Sequence, residues 1–175
     1  MLIPLEYYLS DDYGGDGVWG RVLDDYDVPY TPTVYFNGPQ NEAGLESSER
    51  DYYEEYKSRV DSERAKGASI IITAERSVSD DTLAVNVEVH NGGDSAVSDS
   101  EVWFVLYEDL GSSEKHYVVL AIESGGTVDN LPAGGTESFS EELDLSDSET
   151  GNVEAVVFLQ SAGSSREVLQ AALAS

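Results

Sequence analysis

Residues 82–91 read TLAVNVEVHN. Leu83, Val85, Val87 and Val89 alternate with polar residues, so every second side chain falls on one side of the backbone. That period of two is the pattern of a half-buried strand. Working outward, the same grammar recurs in ASIIITAE (68–75), SEVWFVLYED (100–109), KHYVVLAIES (115–124), TESFSEEL (136–143), VEAVVFLQS (153–161) and REVLQAAL (166–173). Glycine-rich or polar turns separate them: GSSE, SGGTVDNLPAGG, LSDSETGN and SAGSS. Seven short strands over roughly 105 residues predict a Greek-key β-sandwich of immunoglobulin or fibronectin-III type. Trp103 is the natural candidate for the large residue on a central strand.

Upstream the grammar changes. Nine of the eleven tyrosines lie at or before Tyr56, and the shift falls near Lys66–Ala68. LIPLEYYLS (2–10) reads as a strand whose near-continuous apolar run suits burial on both faces. VWGRVLDDY (18–26) repeats apolar residues at helical spacing, weakened by Gly20. TVYF (33–36) is a strand between Pro32 and the Asn37-Gly38 turn. SSERDYYEEYKSRVDSERAK (47–66) is the strongest helix, with Ser48 as N-cap and Tyr52, Tyr56 and Val60 on one stripe. The order is β-α-β-α. The predicted fold class is therefore an α+β chain of two modules, residues 1–66 and residues 67–175.

The 175 residues carry 35 acids and 9 bases, a net charge of −26. Residues 1–66 hold 15 acids and 6 bases, and residues 67–175 hold 20 and 3, so no single tail explains the total. Such a surface repels nucleic acid and anionic membranes. Even acidity with three lysines resembles the composition of proteins from high-salt organisms, where the Debye length shrinks to about 3 Å at 1 M salt. The competing reading is an acidic, calcium-rich extracellular surface. There is no cysteine, which removes disulfides, thiolate chemistry and cysteine-ligated metals from this chain. No apolar run is long enough to span a membrane, and MLIPLEYYLS lacks the basic start of a signal peptide. An export signal or anchor, if one exists, is expected outside this chain.

DYDVPYTPTVYFNG (25–38) is similar to the distal half of thioredoxin-like domains: helix, tight turn, proline, strand. VWFVLYEDLGSSEKHYVVLAI and VEAVVFLQSAGSSREVLQAA resemble the middle and last strands of the thioredoxin-like outer membrane lipoproteins, the family named for a twenty-eight-kilodalton outer membrane protein. Members of that family pair a thioredoxin-like domain with a C-terminal β-sandwich. The resemblance implies that residues 1–66 are a partial thioredoxin-like α/β module and that Pro32 is its cis-proline, flanked by Thr31 and Thr33. It also implies that the strand and helix carrying Cys-x-x-Cys are missing from this chain. A sheet so truncated leaves a raw edge beside residues 2–10 or 33–36, and raw edges invite pairing with another chain.

Other constellations are weaker. In DDYGGDGVWG, Asp12, Asp16 and Gly17 fit positions one, five and six of a calcium loop. Gly14 and Leu23 occupy positions that need oxygen ligands, so the motif fails. Asp11, Asp12 and Asp16 remain as candidate ligands for a weakly held calcium ion. Glu141, Glu142, Asp144, Asp147 and Glu149 form a second acidic run, read as a solvated turn. His90 and His116 are the only histidines, and no nucleophile-elbow motif accompanies them. The tyrosines with Trp19 could form a contact platform or simply a core.

These readings point to a non-catalytic, exported or cell-surface interaction protein with no cofactor, binding a protein partner or its own copies. Its contacts would come from sandwich loops or an open sheet edge. The alternatives are a redox-family protein whose Cys-x-x-Cys lies outside this chain and a surface or filament subunit assembled by strand completion.

Overall fold

A computed structural model describes residues 3–7, 18, 20, 22, 26, 28, 33–38, 49–111, 116–146, 148 and 152–175. Among the described residues the long helix α1 (Glu49–Ala65) precedes seven strands. These are β1 (Ile70–Ser79), β2 (Thr82–Asn91), β3 (Ser100–Glu108), β4 (Val118–Val128), β5 (Thr136–Asp144), β6 (Val153–Ser161) and β7 (Val168–Leu173). They form two antiparallel sheets, a three-stranded one in the order β1-β2-β5 and a four-stranded one in the order β4-β3-β6-β7. The chain changes sheets between β2 and β3, between β4 and β5, and between β5 and β6.

The alternation of residues 82–91 sets the core. Leu83, Val85, Val87 and Val89 are all but completely buried and face Val102, Phe104 and Leu106 of β3 and Ala155, Val157 and Leu159 of β6 in one cluster. Each such side chain contributes about 1.5–3 kcal/mol relative to exposure. The other face of the four-stranded sheet is also covered. Val105, Tyr107, Val119, Ile122, Val156 and Phe158 are buried with Val18, and Ile3, Leu5 and Tyr7 pack against them. The middle strands β3 and β6 therefore have little polar alternation, as a sheet buried on both sides requires.

Described residues of the first 66 meet this sheet. Glu6 makes a parallel bridge to Val118. Its N–H donates to the Tyr117 carbonyl at 2.9 Å, and the Val119 N–H donates to the Glu6 carbonyl at 3.0 Å. At the opposite side the Val168 N–H donates to the Asn37 carbonyl at 2.9 Å. The resemblance implies a raw edge beside residues 2–10 or 33–36; of the described residues there, Glu6 meets β4, and Asn37, just beyond 33–36, meets the start of β7. The edge of β1 is covered too. Gln170 Nε2 donates to the Ile70 carbonyl at 3.2 Å, the Ser175 N–H to the Ala74 carbonyl at 3.2 Å, and the Arg76 N–H to the Ser175 carbonyl at 3.3 Å.

One local reading is corrected and one is refined. Gly125 and Gly126 are not part of a turn but lie inside β4. The β3–β4 register shifts between Val102 and Trp103, leaving Gly125 as the extra residue of a bulge. A Cβ on Gly125 would stand 2.2 Å from Cε2 of Phe104, so glycine is required by the close approach of that ring. The large residue at the centre of the sandwich is Phe104, with no exposed surface. Trp103 points the other way, into the second cluster.

Candidate functional site

Three regions gather polar or aromatic side chains. The first is the joint between α1, residues 33–38 and the β6–β7 turn. Tyr52 and Tyr56 fall one helical turn apart, and their rings lie 5.9 Å from each other. Phe36 meets Tyr56 edge-on at 5.3 Å, and Tyr26 meets Tyr35 at the same distance. Burial, then the neighbouring Tyr52 and Glu55, push the Tyr56 hydroxyl above its ordinary range. The buried Gln160 ties this patch to the sandwich, donating to the Tyr26 hydroxyl at 2.9 Å and to the Arg166 carbonyl at 2.6 Å. Asn37, in the left-handed region at φ +61°, gives its amide to Glu63 at 3.1 Å. Lys66 bridges Glu63 at 2.8 Å and Glu167 at 3.3 Å across a cleft of about 200 Å³. Glu63 is the main reason that its ammonium is held above the usual lysine range.

The second region is the end of the sandwich near β3 and β4. Glu108 is fully buried and accepts the Ser148 hydroxyl at 2.9 Å. Asp109 accepts the Gly111 N–H at 2.9 Å and lies 3.3 Å from Nδ1 of His116. The Gly111 N–H first, and then His116, hold the Asp109 carboxyl below its ordinary 3.8. A depressed folded-state pKa contributes stability that is present above the unfolded value and is lost as pH falls through the folded one. The Asp109 carboxyl, followed by NMR, is therefore expected to titrate below 3.8, and to move up towards it in His116→Ala. An unchanged midpoint would remove the imidazole from this account. The His116 N–H also donates to the Glu6 carboxylate at 3.1 Å. Among the described residues no serine hydroxyl bonds to a histidine ring. The other histidine, His90, meets Thr136 Oγ1 at 3.0 Å on an exposed face.

The third region is the outer face of the three-stranded sheet. Thr73, Glu75, Asn86, Glu88, Ser138 and Ser140 line a shallow groove of about 350 Å³. The face holds hydroxyls, amides and carboxylates. Beside it runs β5, the only strand among the described residues with one side unpaired along its length.

Of the residues singled out from the sequence, Thr31, Pro32, Asp11, Asp12 and Asp16 lie outside the described residues, as do Trp19, Asp147 and Glu149. Thr33 is half-buried at the start of the 33–38 segment. Glu141, Glu142 and Asp144 belong to β5 rather than to a turn. Glu137, Phe139 and Glu141 share the core-facing side of that strand, opposite Val89, Val87 and Val85. Sequence reasoning passed over this row. Charges at alternate core-facing positions, visible in TESFSEEL, are the mark of an edge strand.

No family model and no curated protein matches the chain. Solved structures do. HBP35 of Porphyromonas gingivalis superposes with a TM-score of 0.67 at 10% identity, over 89% of this chain and 55% of that one. This chain thus spans about half of that protein's length. A domain of the outer membrane lipoprotein Omp28 from the same organism gives a TM-score of 0.40 at 16% identity, over 61% of this chain and 87% of that one. A β-glucosidase from Kluyveromyces marxianus in complex with glucose gives 0.38 at 24% identity, over 61% of this chain and 13% of that one. The likeness to HBP35 shows the fold. Its coverage of 89% reaches beyond residues 67–175 into the first 66, so the helix-bearing part and the two sheets recur together.

Proposed function

We propose that this chain is a non-catalytic, exported or cell-surface protein that works by binding a protein partner. In this reading a partial thioredoxin-like module, residues 1–66, rests on an immunoglobulin/fibronectin-III-like sandwich, residues 67–175. The observation that carries it is the contrast among the sheet edges. The edge of β1 is met between Ile70 and Arg76, and those of β4 and β7 are each met at one end, by Glu6 and Asn37, whereas among the described residues nothing meets the outer side of β5, which runs beside a polar face. The lack of cysteine supports a role without thiol chemistry in this chain. Protease treatment of intact source cells tests the surface assignment. Loss of the chain without lysis is expected, and full retention until the cells are broken would overturn it.

A second reading has its own support. Because the chain spans 55% of HBP35, a redox segment could belong to the same longer protein. A Cys-x-x-Cys upstream in the full-length gene would favour that reading, and its absence would retire it.

The charge also fits a high-salt setting. Sodium chloride between about 0.1 and 2 M is expected to stabilise the chain by about 2 kcal/mol, raising Tm by roughly 4–8 °C as repulsion is screened. Chloride is the diagnostic salt because sulfate strengthens burial by itself. A Tm indifferent to chloride would defeat the halophilic reading.

A further inference from the structure

We propose that the free edge of β5 takes up an extended peptide strand carrying basic, apolar and basic residues at alternating positions. This rests on the reading above that the chain binds a protein partner, and it names the surface and the chemistry of that partner.

The direction of the backbone groups follows from the register. At one end of the β2–β5 pair the Asn91 N–H donates to the Gly135 carbonyl at 2.9 Å, and at the other the Leu145 N–H donates to the Asp81 carbonyl at 2.8 Å. Odd-numbered residues of β5 therefore bond to β2. Thr136, Ser138, Ser140 and Glu142 turn their N–H and C=O groups to the open side. The Glu142 N–H meets the carboxylate of its neighbour Glu141 at 3.3 Å. Ser138 and Ser140 offer a clear pair of donors and acceptors for an added strand.

The side chains define what the strand must carry. A residue opposite Phe139 meets a half-buried ring that packs on the sandwich core. Residues two positions away on either side meet Glu137 and Glu141, both half-buried on the same face. The pattern is symmetric about Phe139, so it accepts a strand running in either direction. A second copy of this chain is a poor occupant. Antiparallel β5–β5 pairing about Phe139 would set Glu137 against Glu141, and like charges directly opposite are destabilising. The same acids that deter self-pairing select a cationic strand.

The test uses the intact chain and a nine-residue peptide of threonines with lysine at positions three and seven and valine at position five. Amide exchange is followed by NMR at low salt. The Ser138 and Ser140 amides are expected to slow about tenfold when the peptide reaches ninefold its Kd. A peptide with glutamate in place of lysine should leave them unchanged. Ser140→Pro removes an outward N–H and no bond to β2, so it should abolish the protection while the Val85 and Val87 amides stay slow. The double variant Glu137→Lys, Glu141→Lys should exchange the preference between the two peptides. Unchanged Ser138 and Ser140 exchange, or equal binding to Ser140→Pro, would overturn the proposal. So would a dimer of the free chain that Ser140→Pro dissolves. Protection confined to residues 92–99 or 109–117 would overturn the β5 assignment but leave the partner-binding reading standing.

Discussion

Phe104→Ala should destabilise the chain by about 3–5 kcal/mol, read as a shift of the denaturant midpoint at constant slope. The ring is fully buried, lies in the main cluster, and is the largest side chain in that condition. Its neighbour makes the prediction sharper. Gly125→Ala in the native background would drive a methyl to 2.2 Å from the ring, costing about 1–3 kcal/mol through displaced packing. In the Phe104→Ala background that conflict is gone, and the alanine should be tolerated. The two costs must therefore fail to add by most of the Gly125 term. Additive costs would show that the glycine is needed for the bulge itself rather than for the ring.

The second large effect is expected at Asn91. It ends β2 with no exposed surface, and its side chain ties two connections together. Nδ2 donates to the Ser95 carbonyl at 2.9 Å and to the Leu131 carbonyl at 3.0 Å, while Oδ1 accepts the Gly93 N–H at 3.0 Å. Its backbone meets Gly135 and Gly134 at 2.9 and 2.8 Å. Asn91→Ala should cost about 2–4 kcal/mol, because buried carbonyls and an N–H lose their partner together. Asn91→Asp should cost more at neutral pH, since a carboxylate would face two carbonyls it cannot donate to. Lowering the pH to about 3 should narrow the gap between the two variants as the carboxyl gains a proton. If alanine and aspartate behave alike, the donor role of the amide is not what holds these loops.

The strands were legible because a period of two leaves little choice. β2 begins and ends where its alternation places it, at 82–91, and β6 where its apolar run and flanking turns place it, at 153–161. α1 was legible for the same reason at a different period, and Tyr52 and Tyr56 meet along the stripe read from the sequence, their rings 5.9 Å apart. The glycines of β4 misled because Gly-Gly is a turn signal until the ring that demands it is known, and Phe104 is a contact distant in sequence. Trp103 does lie on a central strand, β3, but size alone does not say which face of a strand is the core. Residues 2–10 were read as a strand; of these the described residues 3–7 show a single bridge, at Glu6, because an apolar run does not name its partner, and that partner, β4, lies more than a hundred residues away. The β5 row was legible in principle. Glu141 was taken for solvated charge in a turn and Glu137 was passed over, so the row was not seen as the guard of an edge.

The four-stranded sheet has one further meaning. With one side against β1, β2 and β5 and the other against Ile3, Leu5, Tyr7 and Val18, it belongs equally to both halves of the chain. A cut at the compositional boundary would strip an apolar wall rather than free a module. Val105, Val119, Ile122, Val156 and Phe158 would then face water together, so residues 67–175 expressed alone are expected to associate through that wall, whereas the whole chain keeps it covered.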